Sequence, residues 1–309
     1  MNIRQLQYIA EVMKQRFNIS AAAKALHTSQ PGVSKQIKLL EHEVGAQIFV
    51  RTRNKVTGIT PFGELILAPA QRVVSDVAFI RAAASNLHKQ NTGTLVVATT
   101  HTQAHYVLPG IMKRFAEHHP KVRITQRLGT PQQIAELVLA GEADIGVTTN
   151  VSELPKQLVA LPCRKFERVV IAPPRHELLG KPKVSLKTLA RYPLVSYDPA
   201  YTGHQHIVAA FQRAGLTPNI VLSASDADVI KACVAQDFGI GVLLEVAFDK
   251  ARDTGLRAIP AGHLFQPAIV SIVLQRQHYL RTYCYDFIEM LATRWSRVNV
   301  EAEISSHRS

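Results

Sequence analysis

No run in this chain approaches the roughly 18–20 uninterrupted apolar residues that a membrane helix requires. The opening stretch MNIRQLQYIAEVMKQ interrupts its apolar pattern with charge and offers no small-residue cleavage site. Neither a membrane span nor a signal peptide is expected. Cysteine is scarce: Cys163, Cys233 and Cys284 lie far apart, with no CxxC pair and no even number to bridge. That excludes a disulfide framework and points to small buried hydrophobes in a reducing cytoplasm. A GxSxG nucleophile elbow is absent, and with it the usual ground for a hydrolase, although Ser, His and Asp are all available. GIGV at residues 239–242 lacks the lysine and the strand-loop-helix setting of a phosphate loop, and a close-packed strand start accounts for it. Neither a catalytic residue nor a cofactor is expected.

What the chain does have is positive charge, unevenly placed. Its 309 residues carry a formal net charge of +13; residues 1–92 hold 12 Lys/Arg against 5 Asp/Glu, and residues 93–309 hold 24 against 18. The charge density is highest at the front, which suggests a polyanion partner, nucleic acid first. The pattern there is helical. Ile3, Leu6, Ile9, Ala10 and Met13 form one apolar stripe. Asn18 or Ser20 can cap a short alanine-rich helix over residues 21–26, and Ser29 can cap a second that carries Pro31 in its first turn and stops at Gly45. Val33, Ile37, Leu40 and Val44 face inward, while Gln30, Ser34, Lys35 and Lys38 face outward.

Two short helices across a brief turn have helix-turn-helix geometry; a plain three-helix bundle with a polar face is the alternative. The β-prone runs 48–51 and 56–60 then flank Arg51, Arg53, Asn54 and Lys55, like a hairpin wing with a basic tip suited to a phosphate strand or the minor groove. From Phe62 the apolar positions Ile66, Pro69, Val73, Val77, Ile80, Ala84 and Leu87 make a heptad-like seam. So narrow a stripe usually pairs with a copy of itself, and Pro69 should bend the helix.

The segments SAAAKALHTSQPGVSKQIKLLEHEVGAQIFVRT and TPFG resemble the LysR-type transcriptional regulators, and the resemblance spans nearly all of the chain. It implies a winged helix-turn-helix domain over residues 1–59, a linker and dimerisation helix over 60–92, and an α/β effector-binding domain over 93–309. That last domain is expected to be built like a periplasmic binding protein. Ser29, Gln30, Ser34, Lys35, Lys38, Arg51, Arg53 and Lys55 are the expected DNA contacts. The implied partners are double-stranded DNA, further copies of the chain as a dimer of dimers, RNA polymerase and a small anionic effector, with no membrane.

Beyond residue 93, short apolar runs alternate with helical patterns, which predicts a mostly parallel sheet with helices on both faces. Two such halves suggest two subdomains around a cleft, the first over 93–164 and 267–309, the second over 165–266. The last helix is expected from Tyr279 to about Trp295, with a frayed tail after it. Ligands in such sheets sit beyond the carboxyl ends of strands. TTHTQ (99–103), VTTN (147–150) and SYDPAYTGHQ (196–205) fall there, and the last brings Tyr201, Thr202 and Gly203 to the facing wall. Neutral hydroxyls and an amide suit a small anion.

ATTHTQAHYVLPG, YTGHQ, AGLTPNIV and SDADVIKACV are similar to the sulfur-assimilation branch of the family, the CysB- and Cbl-type regulators. That similarity implies an effector site at Thr100, Thr102, Gln103, Thr149 and Thr202, and a role in sulfur acquisition, cysteine biosynthesis or sulfonate use. It also implies that Phe166 stands where the branch typically has tryptophan, keeping an aromatic wall without its N–H donor. Sulfate-type anions and acetylserine-type ligands are the effectors it suggests. Other readings remain. His101 and His105 could chelate a metal from one helix, though no carboxylate or cysteine lies near them in the sequence. Thr149 could simply end a strand. A transport binding protein would need only the second domain, and the DNA-binding unit argues against it.

Overall fold

The computed structural model describes residues 1–53, 55–86, 92–149, 154–181, 183–276 and 279–306. It divides into two compact units, Met1–His88 and Lys89–Ser309.

In the first unit, α1 (Ile3–Lys14) opens with a reciprocal cap: Asn2 Oδ1 accepts from the Gln5 backbone N–H, and Gln5 Oε1 accepts from that of Asn2. Two otherwise orphaned donors are thereby satisfied. Asn18 caps α2 (Ile19–Ala25), whose Ala22 and Ala23 are buried small enough for close helix approach. Ser29 caps α3 (Gln30–Val44), and Gly45 ends it in the left-handed region at φ 72°, where a Cβ would be strained. Strands β1 (Phe49–Thr52) and β2 (Lys55–Ile59) form an antiparallel hairpin. Helix α4 (Pro61–Asn86) follows, 26 residues long with Pro69 inside it. The core joins Leu6, Ile9, Val12, Val33, Ile37, Leu40, Ile48 and Phe49. Val44, expected on that inner stripe, is instead exposed, and Glu41 takes the buried place one turn earlier. On α4, Phe62 and Ile66 pack into the core, whereas Val73 and Ile80 lie exposed. The Leu87 end of the expected seam, like Asn54 of the wing tip, lies outside the described residues.

The second unit holds two five-stranded sheets. Its elements run β3 (Gly93–Thr99), α5 (His101–Tyr106), α6 (Leu108–His118), β4 (Val122–Leu128), α7 (Pro131–Leu139), β5 (Ile145–Thr149), β6 (Leu158–Phe166), β7 (Arg168–Ala172), α8 (Leu186–Leu189), β8 (Leu194–Tyr197), α9 (Thr202–Arg213), β9 (Ile220–Ala224), α10 (Ala227–Ala235), β10 (Ile240–Leu244), β11 (Arg257–Pro260), β12 (Ala268–Gln275), α11 (Thr282–Leu291) and α12 (Arg297–Ser305). The first lobe has strand order β4-β3-β5-β12-β6 and the second β11-β7-β10-β8-β9.

Each sheet runs four of its five strands in one direction, as expected, and one strand against them. β3 pairs in parallel with β4 and β5, but β12 runs antiparallel to β5 and β6. In the second lobe, β7 runs antiparallel to both β10 and β11. The physical reason is the double crossing. The chain leaves the first lobe after β6 and returns through β12, and a strand that comes back from the far lobe enters its sheet from the opposite end. The tail also departs from expectation. α11 is shorter than the predicted last helix, and α12 is a further helix. Ser296 caps it, Val300 is buried beneath it, and Arg276 Nη1 donates to the carbonyls of Glu303 and Ile304, which holds its C-terminal end. Among the described residues, no helix is long and apolar enough to cross a membrane.

Candidate functional site

The parallel strands of both lobes end at one cavity. It is lined by Thr100 and Gln103 after β3, Thr149 at the end of β5, Tyr197 at the end of β8, Thr202 at the start of α9 and Arg168 at the start of β7. Because β7 runs antiparallel to β10, its first residue reaches the carboxyl end of its sheet, where such folds place ligands. The cavity is small, about 30 Å³ of space for the centre of a water-sized sphere. One water needs roughly 10–15 Å³ on that measure, so there is room for one compact tetrahedral anion.

Buried polar groups around it lack partners. The Gln103 side chain is fully buried, and neither its amide nitrogen nor its oxygen has a partner. Each such orphan costs roughly 1–3 kcal/mol. The Thr100 hydroxyl leaves α5 uncapped. The Thr149 and Thr202 hydroxyls bridge the two lobes at 3.1 Å. The Tyr197 hydroxyl faces Thr102 without a well-formed hydrogen bond, and burial pushes its pKa up to about 12. Gly203 lets α9 approach Tyr197, since a Cβ there would stand 2.9 Å from the tyrosine ring.

Arg168 is the most unusual member. It is 2% exposed, and its side chain makes one hydrogen bond among the described residues, from Nε to the Gln266 carbonyl at 3.3 Å. Among the described residues, no Asp or Glu lines the cavity and no carboxylate pairs with the Arg168 guanidinium. Burial lowers its pKa, the direction expected of a cation stripped of water, yet a guanidinium stays charged. A buried cation without a counter-ion is costly, and an entering anion offsets that cost.

The expected site residues Thr100, Thr102, Gln103, Thr149 and Thr202 all line this cavity. Phe166 does not. It closes β6 and packs against the core of the first lobe, so the aromatic wall is supplied by Tyr197 and Tyr201 instead. Arg168 and Tyr197 were missed. The available signal for Arg168 was a charged residue opening the apolar strand RVVIA directly after the lobe crossing. His105 does not line this cavity; its Nδ1 lies 3.0 Å from the Asp228 carboxylate and its ring stacks on that of Tyr106.

The first unit presents a second, separate surface. Ser29, Gln30, Lys35 and Lys38 are exposed along α3, with Ser34 half-buried; Arg53 and Lys55 are exposed on the wing. Arg51 differs: its guanidinium sits 2.8 Å from Glu41, whose other oxygen accepts from the backbone N–H groups of Ile48 and Phe49. Arg51 thus ties the wing to α3, while Arg53 and Lys55 have no ion-pair partner among the described residues.

A helix-turn-helix with a basic wing, followed in the chain by a two-lobed ligand domain, defines a ligand-responsive DNA-binding protein. The chain belongs to the LysR family of bacterial transcriptional regulators. Residues 3–64 match the bacterial regulatory helix-turn-helix protein, lysR family, and residues 88–296 match the LysR substrate binding domain. Among its relatives, the transcriptional regulator SsuR of Burkholderia cenocepacia is 42% identical over 305 residues, covering 99% of this chain and 98% of that protein. CysB of the same organism is 41% identical over 301 residues, covering 97% and 96%. Among solved structures, the cofactor-binding domain of the Cbl transcriptional regulator matches with a TM-score of 0.66 at 37% identity, over 70% of this chain and 96% of that one.

Proposed function

We propose that this regulator controls genes of sulfur acquisition, cysteine biosynthesis or sulfonate use in response to a small sulfur-related anion held in the cavity between its lobes. The effector is a sulfate-type oxyanion or an acetylserine-type ligand. The observation that carries the reading is Arg168, a buried cation with no counter-ion among the described residues, in a wall of hydroxyls and an orphaned amide. Thr100, Thr102, Gln103, Thr149 and Thr202 orient the anion, Arg168 sets its charge, and the bridging pair Thr149 and Thr202 makes lobe closure depend on it. Similarity to SsuR, CysB and Cbl supports the sulfur assignment.

The regulator acts in the cytoplasm as a dimer of dimers, and RNA polymerase reads its DNA-bound state. Exposed Val73 and Ile80 on α4 support pairing with a second copy. Effector binding shifts the oligomer between two states by its differential affinity for them. A thermal-shift screen of the full chain with sulfate, thiosulfate, adenosine phosphosulfate and acetylserine tests the cavity. At least one should raise Tm, and Thr100→Ala and Thr202→Ala should abolish the rise. If none shifts the wild-type protein, or the variants shift equally, the cavity assignment is wrong.

A further inference from the structure

A second, larger cavity adjoins the first. Its volume is about 470 Å³ on the same measure, and the two share His101 and Thr102 as a common wall. One lobe contributes Tyr106, Pro109 and Leu128; the other contributes Asp226, Ala227, Asp228 and Val229. Its chemistry is the reverse of its neighbour's. Here the ionic groups are already satisfied. Asp226 Oδ1 caps α10 through the Val229 N–H at 2.9 Å. Asp228 accepts from the Tyr106 hydroxyl at 2.6 Å and pairs with His105 at 3.0 Å and Lys231 at 3.1 Å. What remains unsatisfied is apolar: Leu128 at the end of β4 is 50% exposed, and Val229 on α10 is 45% exposed. The inner cavity therefore offers unpaired polar groups and room for a compact head alone. The outer one offers room and bare apolar surface, with two carboxylates that repel a second negative charge.

Resting on the reading of the inner cavity as an anion site, we infer that the two cavities together bind an organic sulfonate or sulfate ester. Its tetrahedral –SO3⁻ head lies among Thr100, Gln103, Thr202 and Arg168, and its uncharged alkyl or aryl tail lies between Leu128 and Val229. Free sulfate fills only the inner half. The 470 Å³ is ample for such a tail, since pockets of roughly 300–1,000 Å³ hold drug-sized ligands. Apolar area removed from water then adds affinity that sulfate cannot gain.

Titration calorimetry on the full chain tests this with sulfate, methanesulfonate, benzenesulfonate and phenyl sulfate, on the wild type and on Leu128→Glu, Val229→Glu and Thr202→Ala. At least one phenyl ligand should bind about tenfold more tightly than methanesulfonate, and whichever phenyl ligand binds better identifies the C–S or O–S linkage. Leu128→Glu and Val229→Glu, both at exposed rim positions, should weaken the phenyl ligands several-fold and leave sulfate unchanged. Thr202→Ala should weaken all four. If sulfate binds but the phenyl ligands gain nothing, or the rim variants do not discriminate, this inference fails and the anion site stands. If sulfate does not bind, or phenyl binding ignores Thr202→Ala, the anion reading fails and takes this inference with it.

Discussion

The DNA-binding head and the two-lobed domain both carry cations that the proposed function directs at anions, yet they place those cations in opposite surroundings. Lys35, Lys38, Arg53 and Lys55 stand in water on α3 and the wing. As phosphate contacts they would gain affinity by number and by counterion release, which any polyphosphate satisfies. Arg168 stands alone at 2% exposure among hydroxyls. One charge suffices there, because water no longer screens it and the space admits only a small ligand. Exposed charges give reach without choice, and a buried charge gives choice without reach. The proposed function, holding a long polymer and sensing a small anion, needs both.

The largest effect should come from the buried cation. Arg168→Met removes an uncompensated charge from the interior and keeps most of its volume. Sulfate affinity should fall by roughly 2–5 kcal/mol, while the Tm of the ligand-free protein holds or rises, as when buried ionic groups give way to hydrophobes. A variant that loses Tm and keeps its sulfate response would show Arg168 to be structural, and the contrast with the head would collapse.

On the head, base-directed and phosphate-directed residues should separate. Gln30→Ala removes an amide at the first position of α3. It should cost roughly 1–3 kcal/mol at one base position and relax specificity there. Arg53→Ala should weaken all sequences alike and lower the slope of log K against log salt by about 0.9. Arg51→Ala should leave that slope nearly unchanged and lower Tm, since its partner is Glu41 at 2.8 Å. Binding isotherms at several salt concentrations on operator and scrambled duplexes decide all three.

The two regions were also unequally legible in the sequence. In the head, each cap, turn and stripe is set by residues close in the chain. Asn18, Ser29, Pro31 and Gly45 therefore announced the helices, and the hairpin followed from two β-prone runs. The pairing of Arg51 with Glu41 was not legible, because it depends on how α3 and β1 pack. In the two-lobed domain, the alternation of strands and helices marked the ends at Thr100, Thr149 and Thr202. The reversed direction of β7 and β12 escaped, since it is decided by where the returning chain enters the sheet. Arg168 escaped for the same reason: only the antiparallel course of β7 carries its first residue to the cavity. Phe166, two residues earlier, ends on the core side. The last helix was misjudged because α12 is anchored by Arg276, twenty-odd residues upstream.

The smallest effect should come from a link outside the anion cavity, where exposed and buried charge meet. Tyr106 on α5 donates to Asp228 on α10 at 2.6 Å and so joins the lobes, and Lys231 sits 5.0 Å over the Tyr106 ring. Burial raises the Asp228 pKa, but hydrogen bonds from Tyr106 and Lys231 outweigh it and leave the pKa below the usual 3.8. The carboxylate's contribution to stability is accordingly complete above that ordinary value and is lost as pH falls through the lower folded one. Tyr106→Phe should cost about 0.5–1.5 kcal/mol, seen as a modest fall in Tm at neutral pH. The difference from wild type should narrow below about pH 4 as Asp228 protonates in both. α5 carries Thr102 and Gln103 as well as Tyr106, so the same change should also lower sulfate affinity slightly by loosening the closed arrangement of the lobes. An unchanged affinity beside a lowered Tm would confine the link to stability, and the buried cavity would then set its ligand response without help from the ionic groups at its rim.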